Sequence, residues 1–578
     1  MPRLRLALAQ SNPVVADLAG NSEAIVAAAR AASAQGADIL ALGEMALTGY
    51  PIEDLASRPS FLVDAGAAVI ALAARLAAEG LGELPVIVGH PDGPHEPRLL
   101  GTSNAPTAIA QNCASVLHRG IVVARYAKHH LPNYGVFDEY RIFIPGDELL
   151  VLRLKGVDVA LLICEDLWRT GGPVDRVLQS DAGLLLVINA SPFERDKDEV
   201  RLPLVTRRAI ETNTIVAYVN IVGGQDDLVF DGDSVVVDEK GVILARAPQF
   251  VEHLLVVDVE AEESTDAELP PSAHRFVLDI GDSGGGAVSL TTDIAELPDD
   301  REQLWNALVV GTRDYVHKNG FRSVVLGLSG GIDSAVCAAI AADAIGSDNV
   351  YGISMPSKYS SDHSRSDADD LADRIGLHYR VEPIADLVAP IEAQLMLTGV
   401  AAENVQARIR GVILMGLSNL DGHLVLTTGN KTELSVGYST IYGDSVGGFA
   451  PIKDVPKLLV WELARWRNLV AVERGETPPI PENSIEKPPS AELRPDQTDQ
   501  DTLPPYEILD AILDAYVDHE LGRDDVVALG FARETVDFVT QLVDRSEWKR
   551  RQGAIGPKIS GMAFGRDRRM PITVKPAK

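Results

Sequence analysis

Two groups of residues in this chain have the types and spacing to do chemistry. The first is Ser329-Gly330-Gly331-Ile332-Asp333-Ser334, which follows the apolar run 324–328 and leads into the Ala-rich stretch 335–345. A strand that feeds a helix through Ser-Gly-Gly leaves the first helical N–H groups unpaired and pointing at the loop. Such an amide cluster favours a phosphate or pyrophosphate, and glycine lets the backbone approach an anion where a Cβ would collide. The loop lacks the Lys-Ser/Thr ending of a Walker loop and the third glycine of the dinucleotide fingerprint. Asp333 beside a polyanion requires a cation between them, so it reads as a magnesium ligand. The plain alternative is a glycine-rich turn with a helix-capping serine. The second group is Glu44, Lys128 and Cys164, each at or just past the end of an apolar run. Singly they read as a solvated turn acid, a loop lysine and a small core residue. Together they supply a thiol nucleophile, a base for its proton and a fixed cation for thiolate and oxyanion. Without that cation, Glu165 and Asp166 would push the thiol pKa upward.

The elements that must position these residues follow from periodicity. Residues 4–9, 39–42, 86–89, 157–163, 184–188 and 215–219 read as strands, and 21–34 as a helix. Runs 107–117 and 121–126 flank His118-Arg119-Gly120, and 234–237 and 242–245 flank Glu239-Lys240-Gly241, which predicts two hairpins. Acidic residues 260–263, the break Leu269-Pro270-Pro271 and a flexible tip at Asp282-Ser283-Gly284-Gly285-Gly286 mark the end of this strand-rich unit. The expected division is a domain over 1–270, a linker over 271–300 and a second domain over 301–578. From the helix at 301–318 onward the pattern alternates. Strand 350–353 ends in Ser354, a helix over 364–375 stops at Gly376, and strand 423–426 ends at Thr427-Thr428. This predicts a doubly wound parallel sheet with its ligand at the carboxyl ends of the strands, where Ser329, Ser354 and Thr427 begin polar segments.

The net charge of −31 argues against nucleic-acid or anionic-membrane partners, so anion sites must be local. The C-terminal run Arg545, Lys549, Arg550, Arg551, Lys558, Arg566, Arg568 and Arg569 is one candidate, interleaved with Trp548, Met562 and Phe564; a solvated charged tail is the alternative. Three cysteines without close spacing supply neither a disulfide framework nor a zinc cluster. No apolar run reads as long enough to span a bilayer, the N-terminal apolar segment is too short for a secretory signal, and a cytoplasmic location is expected.

Gly43-Glu44-Met45-Ala46-Leu47-Thr48-Gly49-Tyr50, Lys128-His129-His130-Leu131-Pro132-Asn133-Tyr134 with Phe137-Asp138-Glu139, and Cys164-Glu165-Asp166-Leu167-Trp168 resemble the nitrilase (carbon–nitrogen hydrolase) superfamily, most closely its glutamine-hydrolysing branch. The resemblance implies an α-β-β-α sandwich with Glu44 as general base, Lys128 as charge stabiliser and Cys164 as nucleophile. Glu139 matches the second glutamate of many members. Tyr134, Ser191 and Lys197 fall where that branch contacts glutamine, although Arg195 is a neighbouring basic candidate for the last. His129 and His130 read as loop or packing residues.

The loop Gly327-Leu328-Ser329-Gly330-Gly331-Ile332-Asp333-Ser334 resembles the ATP pyrophosphatase superfamily. Met355-Pro356-Ser357-Lys358, Glu403-Asn404-Val405-Gln406-Ala407-Arg408, Gly429-Asn430-Lys431-Thr432-Glu433, Gly437-Tyr438-Ser439-Thr440, Lys487-Pro488-Pro489-Ser490 and Lys549-Arg550-Arg551-Gln552 narrow it to the NAD synthetase branch, and fusion to a nitrilase-like half is similar to its glutamine-dependent form. The likeness implies that Gly327, Leu328, Ser329, Gly330, Gly331, Ile332, Asp333, Ser334 and Thr428 contact ATP, and that Asp333 and Glu433 lie near Mg2+. Asn404, Glu433 and Lys549 would contact deamido-NAD. As plain alternatives, Asn404 is a helix-surface amide and Glu433 a first-turn acid favoured by the helix dipole. The substrates implied are glutamine, ATP and deamido-NAD, in a homo-oligomer, with a water-poor route for ammonia. Two rivals stand beside this reading: another ATP-pyrophosphate amidotransferase, and an amidase whose second half only senses nucleotide.

Overall fold

The computed structural model describes residues 1–96, 98–99, 107–265, 268–280, 294–490, 492–494 and 497–574. The expected flexible tip at residues 282–286 lies outside them. The chain forms two compact units: residues 1–223 with 230–298, and residues 224–229 with 299–578.

Period-2 alternation builds the first unit. In the strand Arg3–Gln10, Leu4, Leu6 and Leu8 face one core while Ala7 and Ala9 face another. Ile39 and Ala41 divide from Leu40 and Leu42 in the same way. Successive side chains point to opposite faces of a strand, so this sheet is apolar on both sides and must be covered on both. One face meets the helices Leu18–Ala34 and Pro59–Ala78. The other meets a second sheet through a core shared with Val157, Val159, Leu161 and Ile163. The first sheet has six strands in the order His253–Glu260, Arg3–Gln10, Ile39–Leu42, Val86–Asp92, Gln111–His118, Ile121–Ala127. The second has seven: Ile243–Arg246, Val235–Val237, Ile215–Asn220, Leu184–Asn189, Val157–Ile163, Leu149–Leu154, Ala273–Leu278. Helix Asp198–Thr212 covers its outer side with Val205 and Ala209. The result is the α-β-β-α sandwich.

Three expectations need correction. The stretch 271–300 is not all linker, because Ala273–Leu278 pairs in parallel with Leu149–Leu154 as an edge strand of the second sheet. That partner strand has no polar alternation, which is why it escapes a period-2 reading. The helix Pro59–Ala78 is, by length and composition alone, apolar enough to cross a bilayer, although its Leu62, Val69, Leu72 and Leu76 are buried in the unit's core. The C-terminal basic run is not a free patch: Arg550, Lys558 and Arg568 are buried. The Arg550 guanidinium donates to the Ser435 carbonyl at 2.6 Å and lies 4.7 Å over the Phe564 ring.

The second unit is built on a parallel sheet in the order His378–Val381, Val350–Ser354, Val324–Gly327, Leu424–Val425. Helices follow the strands, including Ile332–Ile345, ended by Gly346 at φ +81°, and Asp362–Ile375, ended by left-handed Gly376. Crossovers of this kind give the doubly wound arrangement. A separate helical core gathers Leu509, Ile512, Val536, Val539 and Val543.

Candidate active sites

The buried run Val157–Ile163 ends at Cys164, where the backbone takes φ +46° and ψ −100° before the short helix Glu165–Trp168. A non-glycine residue held in that region stores strain, roughly 1–3 kcal/mol. Such strain persists where surrounding structure fixes it and marks a turn built to place one side chain. Glu44 follows the strand Ile39–Leu42 and is fully buried. Its Oε1 accepts from Lys128 Nζ at 2.7 Å and Asn112 Nδ2 at 2.6 Å, and its Oε2 accepts from the Ala190 N–H at 3.0 Å. Lys128 Nζ also lies 2.8 Å from Glu139 Oε2, and Glu139 Oε1 accepts from the Tyr50 hydroxyl at 2.8 Å.

Burial and electrostatics set the protonation states. Burial pushes the Cys164 thiol well above its ordinary value, Glu44 adds to this and Lys128 opposes it. The resting nucleophile is therefore a thiol that needs a base. Burial works against the Lys128 ammonium, but Glu139 and Glu44 overcome it and keep the group charged. Burial pushes Glu139 up to about 7 against the pull of Lys128.

Of the expected glutamine contacts, Tyr134 is half exposed, and its hydroxyl donates to Glu165 Oε2 at 2.8 Å. Ser191 is buried, with its N–H donating to Asn220 Oδ1 at 2.9 Å. Lys197 is the residue before helix Asp198–Thr212. His129 is a packing residue as expected: its Nδ1 lies 2.8 Å from the Gly146 carbonyl, and its ring meets that of His130 edge-on. Asn112 carries no sequence signal of a site, and Tyr50, the last residue of the string at 43–50, has no role assigned by it; each belongs to the site through a hydrogen bond spanning at least 68 residues.

In the second unit the loop after Val324–Gly327 is held by its own serines. Ser334 Oγ donates to the Gly331 carbonyl at 2.9 Å and accepts from the Ser329 N–H at 3.3 Å. Gly331 is the residue before helix Ile332–Ile345 and has an ordinary φ of −87°. Gly330 sits at φ +76°, and a Cβ there would lie 2.3 Å from the Ser364 carbonyl oxygen. Left-handed backbone and the neighbouring segment at Ser364 each require glycine there. A cavity of about 280 Å³ opens at this loop. Gly327, Leu328, Ser329, Gly331, Ile332, Asp333, Ser334, Thr428 and Glu433 lie on its wall, as do Ser354 and Thr427 from the other strand ends; Gly330, Asn404 and Lys549 do not. The latter two act on the segment 437–444. Asn404 Oδ1 accepts from the Thr440 hydroxyl at 2.8 Å, and Lys549 Nζ donates to the Gly437 and Ser439 carbonyls at 2.7 and 2.9 Å.

Glu433 holds two positions at once. Its Oε2 accepts from the Asn430 N–H at 3.3 Å in a capping box for the helix Lys431–Val436, and its Oε1 lies 3.7 Å from Lys457 Nζ. Lys457, unmarked in the sequence, is buried and also pairs with Asp333, whose other oxygen accepts from Asn430 Nδ2 at 2.9 Å. Burial, then Asp333, pushes the Glu433 carboxyl up to about 8. Two acids sharing one ammonium form an oxygen-rich edge facing the cavity, a donor set suited to a hard cation that also binds phosphate.

The comparisons with known proteins divide the chain in the same way. The carbon-nitrogen hydrolase family matches residues 5–268 and the NAD synthase family residues 304–553. The glutamine-dependent NAD(+) synthetase of Xanthomonas campestris pv. campestris is 45% identical, covering 99% of this chain and 97% of its own. That of Thermotoga maritima is 42% identical, covering 99% of each. A solved structure of glutamine-dependent NAD+ synthetase from Acinetobacter baumannii, in complex with ADP, superposes with a TM-score of 0.72 at 38% identity, covering 99% of this chain and 98% of that one. With that identity sustained from end to end, the chain belongs to the glutamine-dependent NAD(+) synthetase family.

Proposed function

We infer that this protein forms NAD(+) from deamido-NAD, ATP and glutamine, releasing AMP, pyrophosphate and glutamate. One observation carries the reading. A buried Glu44–Lys128–Cys164 constellation and a Ser329–Gly331 turn opening on a cavity occur in one chain of this family.

Glu44 takes the Cys164 proton as Sγ attacks the side-chain amide carbon of glutamine, and Lys128 offsets the negative charge that develops. The proton passes from Glu44 to the departing nitrogen, which leaves as ammonia. Water deprotonated by Glu44 then hydrolyses the thioester to glutamate. Tyr134, Ser191 and Lys197 are assigned to glutamine recognition. In the second unit a carboxylate oxygen of deamido-NAD attacks the α-phosphorus of ATP, giving an adenylate and pyrophosphate. Ammonia attacks the acyl carbon, and AMP leaves. The residues at 327–334 and Thr428 cradle ATP; Asn404 and Lys549 shape the segment 437–444 on the dinucleotide side. Asp333 and Glu433 would hold Mg2+, which neutralises phosphate charge when bound. A cytoplasmic homo-oligomer belongs to the same reading by family likeness.

Pyrophosphate release measured with and without deamido-NAD tests this. Release that requires deamido-NAD is expected. Glutamine hydrolysis without ATP consumption would instead indicate an amidase with a sensing domain, and release with a different carboxylate would indicate another amidotransferase.

A further inference from the structure

The Asp166 side chain is fully buried two residues past the nucleophile, yet it takes no part in the steps above. Its carboxylate gathers donors from three segments. Oδ1 accepts from the His129 and His130 N–H groups at 3.1 and 2.7 Å. Oδ2 accepts from the Tyr126 hydroxyl at 2.7 Å and the Ile163 N–H at 3.3 Å. The two loop amides directly follow Lys128, Tyr126 is the penultimate residue of the strand Ile121–Ala127 that leads to it, and Ile163 precedes Cys164. The principal charges on the thiol are Glu44, Lys128, Glu165 and Glu139, and the phenols of Tyr50, Tyr134 and Tyr218 also lie within electrostatic reach. What Asp166 holds directly is the backbone on either side of the pair: the residues after Lys128 and the residue before Cys164.

We propose that Asp166 is a positioning residue that ties the Lys128 loop to the turn carrying Cys164 and so fixes the spacing between ammonium and sulfur. Four donors converge on one carboxylate, and a carboxylate is the one side chain of this size that presents only acceptors. An amide in its place turns an NH2 toward N–H donors, and the loop must shift. An ångström of misplacement in such a constellation can cost about a hundredfold.

The inference rests on Cys164 as the glutaminase nucleophile, and the test separates the two. In the full-length chain, Asp166→Asn is expected to lower glutaminase kcat roughly 10–100-fold, with KM for glutamine within about threefold of wild type. NAD formation driven by ammonium chloride reports an intact second unit, and a wild-type thermal unfolding profile reports that the first unit is folded. The pH midpoint for iodoacetamide alkylation of Cys164 is expected to rise by roughly one unit as Lys128 loses its place, a readout that a merely structural role would not move. In a Lys128→Ala background the same substitution is expected to add no further shift. Tyr126→Phe, which removes one uncharged donor, is expected to give a smaller shift of the same sign. A folded Asp166→Asn with the wild-type midpoint overturns the proposal, as does a shift that persists without Lys128. If Asp166→Asn does not fold, an unchanged midpoint in Tyr126→Phe overturns it. If Cys164→Ala keeps its glutaminase activity, the nucleophile assignment fails instead.

Discussion

At the scale of single residues, both sites share one device: a cation held between acids inside the protein. Lys128 sits between Glu44 and Glu139 with about 1% of its side chain exposed, and Lys457 sits between Asp333 and Glu433 to the same degree. Removing one partner of a buried pair leaves the others desolvated and uncompensated, a loss of about 3–5 kcal/mol. Lys457→Met is therefore expected to destabilise the second unit by about 3 kcal/mol, the low end because its partners are partly exposed, and to abolish pyrophosphate release. Denaturant unfolding and a coupled pyrophosphate assay check the two effects. Glu44→Gln is expected to lower glutaminase kcat by at least about a hundredfold. Ammonium-driven synthesis should be retained, read as NAD formed from either nitrogen source. Glu44, Lys128 and Cys164 were legible in the sequence because three unlike residues at strand ends make one chemical set. Lys457 was not. It follows a proline at the start of a helix, and its contacts with Asp333, 124 residues away, and with Glu433 give it a role.

At the scale of elements, the strand–turn–helix around Gly330 makes the sharpest prediction. Left-handed backbone costs a residue with a Cβ roughly 1–2 kcal/mol, and here the added atom would also lie 2.3 Å from a backbone oxygen. Gly330→Ala is expected to lower thermal stability and to raise KM for ATP at least about tenfold, whereas Gly320→Ala, at φ +79° but with nothing within 4 Å of the added Cβ, is expected to carry the backbone cost alone and leave KM unchanged. The strand Val86–Asp92 carries a pH-sensitive group. Burial holds His90 down from its usual 6.5 to about 4, and its Nε2 lies 2.7 Å from the Ser115 hydroxyl. The unfolded chain binds a proton in that window and the folded chain does not. His90 therefore adds nothing above pH 6.5 and subtracts stability as pH falls, by about 3 kcal/mol near pH 4. His90→Gln is expected to flatten that part of the acid limb in pH-dependent unfolding. The strand before Cys164 and the helix that ends at Gly346 were readable from apolar runs and their stops, although that helix begins at Ile332 and takes Asp333 and Ser334 into its first turn. The edge strand Ala273–Leu278 was not, because three of its six residues are exposed and, among the described residues, it pairs with a strand more than a hundred positions earlier.

At the scale of the molecule, the chain is two units with two chemistries, and the division was visible in the sequence as a change of pattern. The segment 224–229, which clusters with the second unit, was hidden inside the first half. No local feature of Gly224-Gln225-Asp226-Asp227-Leu228-Val229 announces that Gly224 donates its N–H to Asp314 at 2.7 Å. In the mechanism proposed above, Cys164 releases from glutamine the nitrogen that the second unit places on deamido-NAD. The most direct measurement is isotope transfer. Wild-type protein and Cys164→Ala are each given ATP, deamido-NAD and glutamine labelled with 15N at the side-chain amide, with and without unlabelled ammonium chloride. The wild type should pass the label to the carboxamide of NAD, with one AMP formed per NAD. Cys164→Ala should transfer no label yet make unlabelled NAD from ammonium. Labelled NAD from Cys164→Ala, or no NAD from it when ammonium is present, would rule out Cys164 as the source of that ammonia.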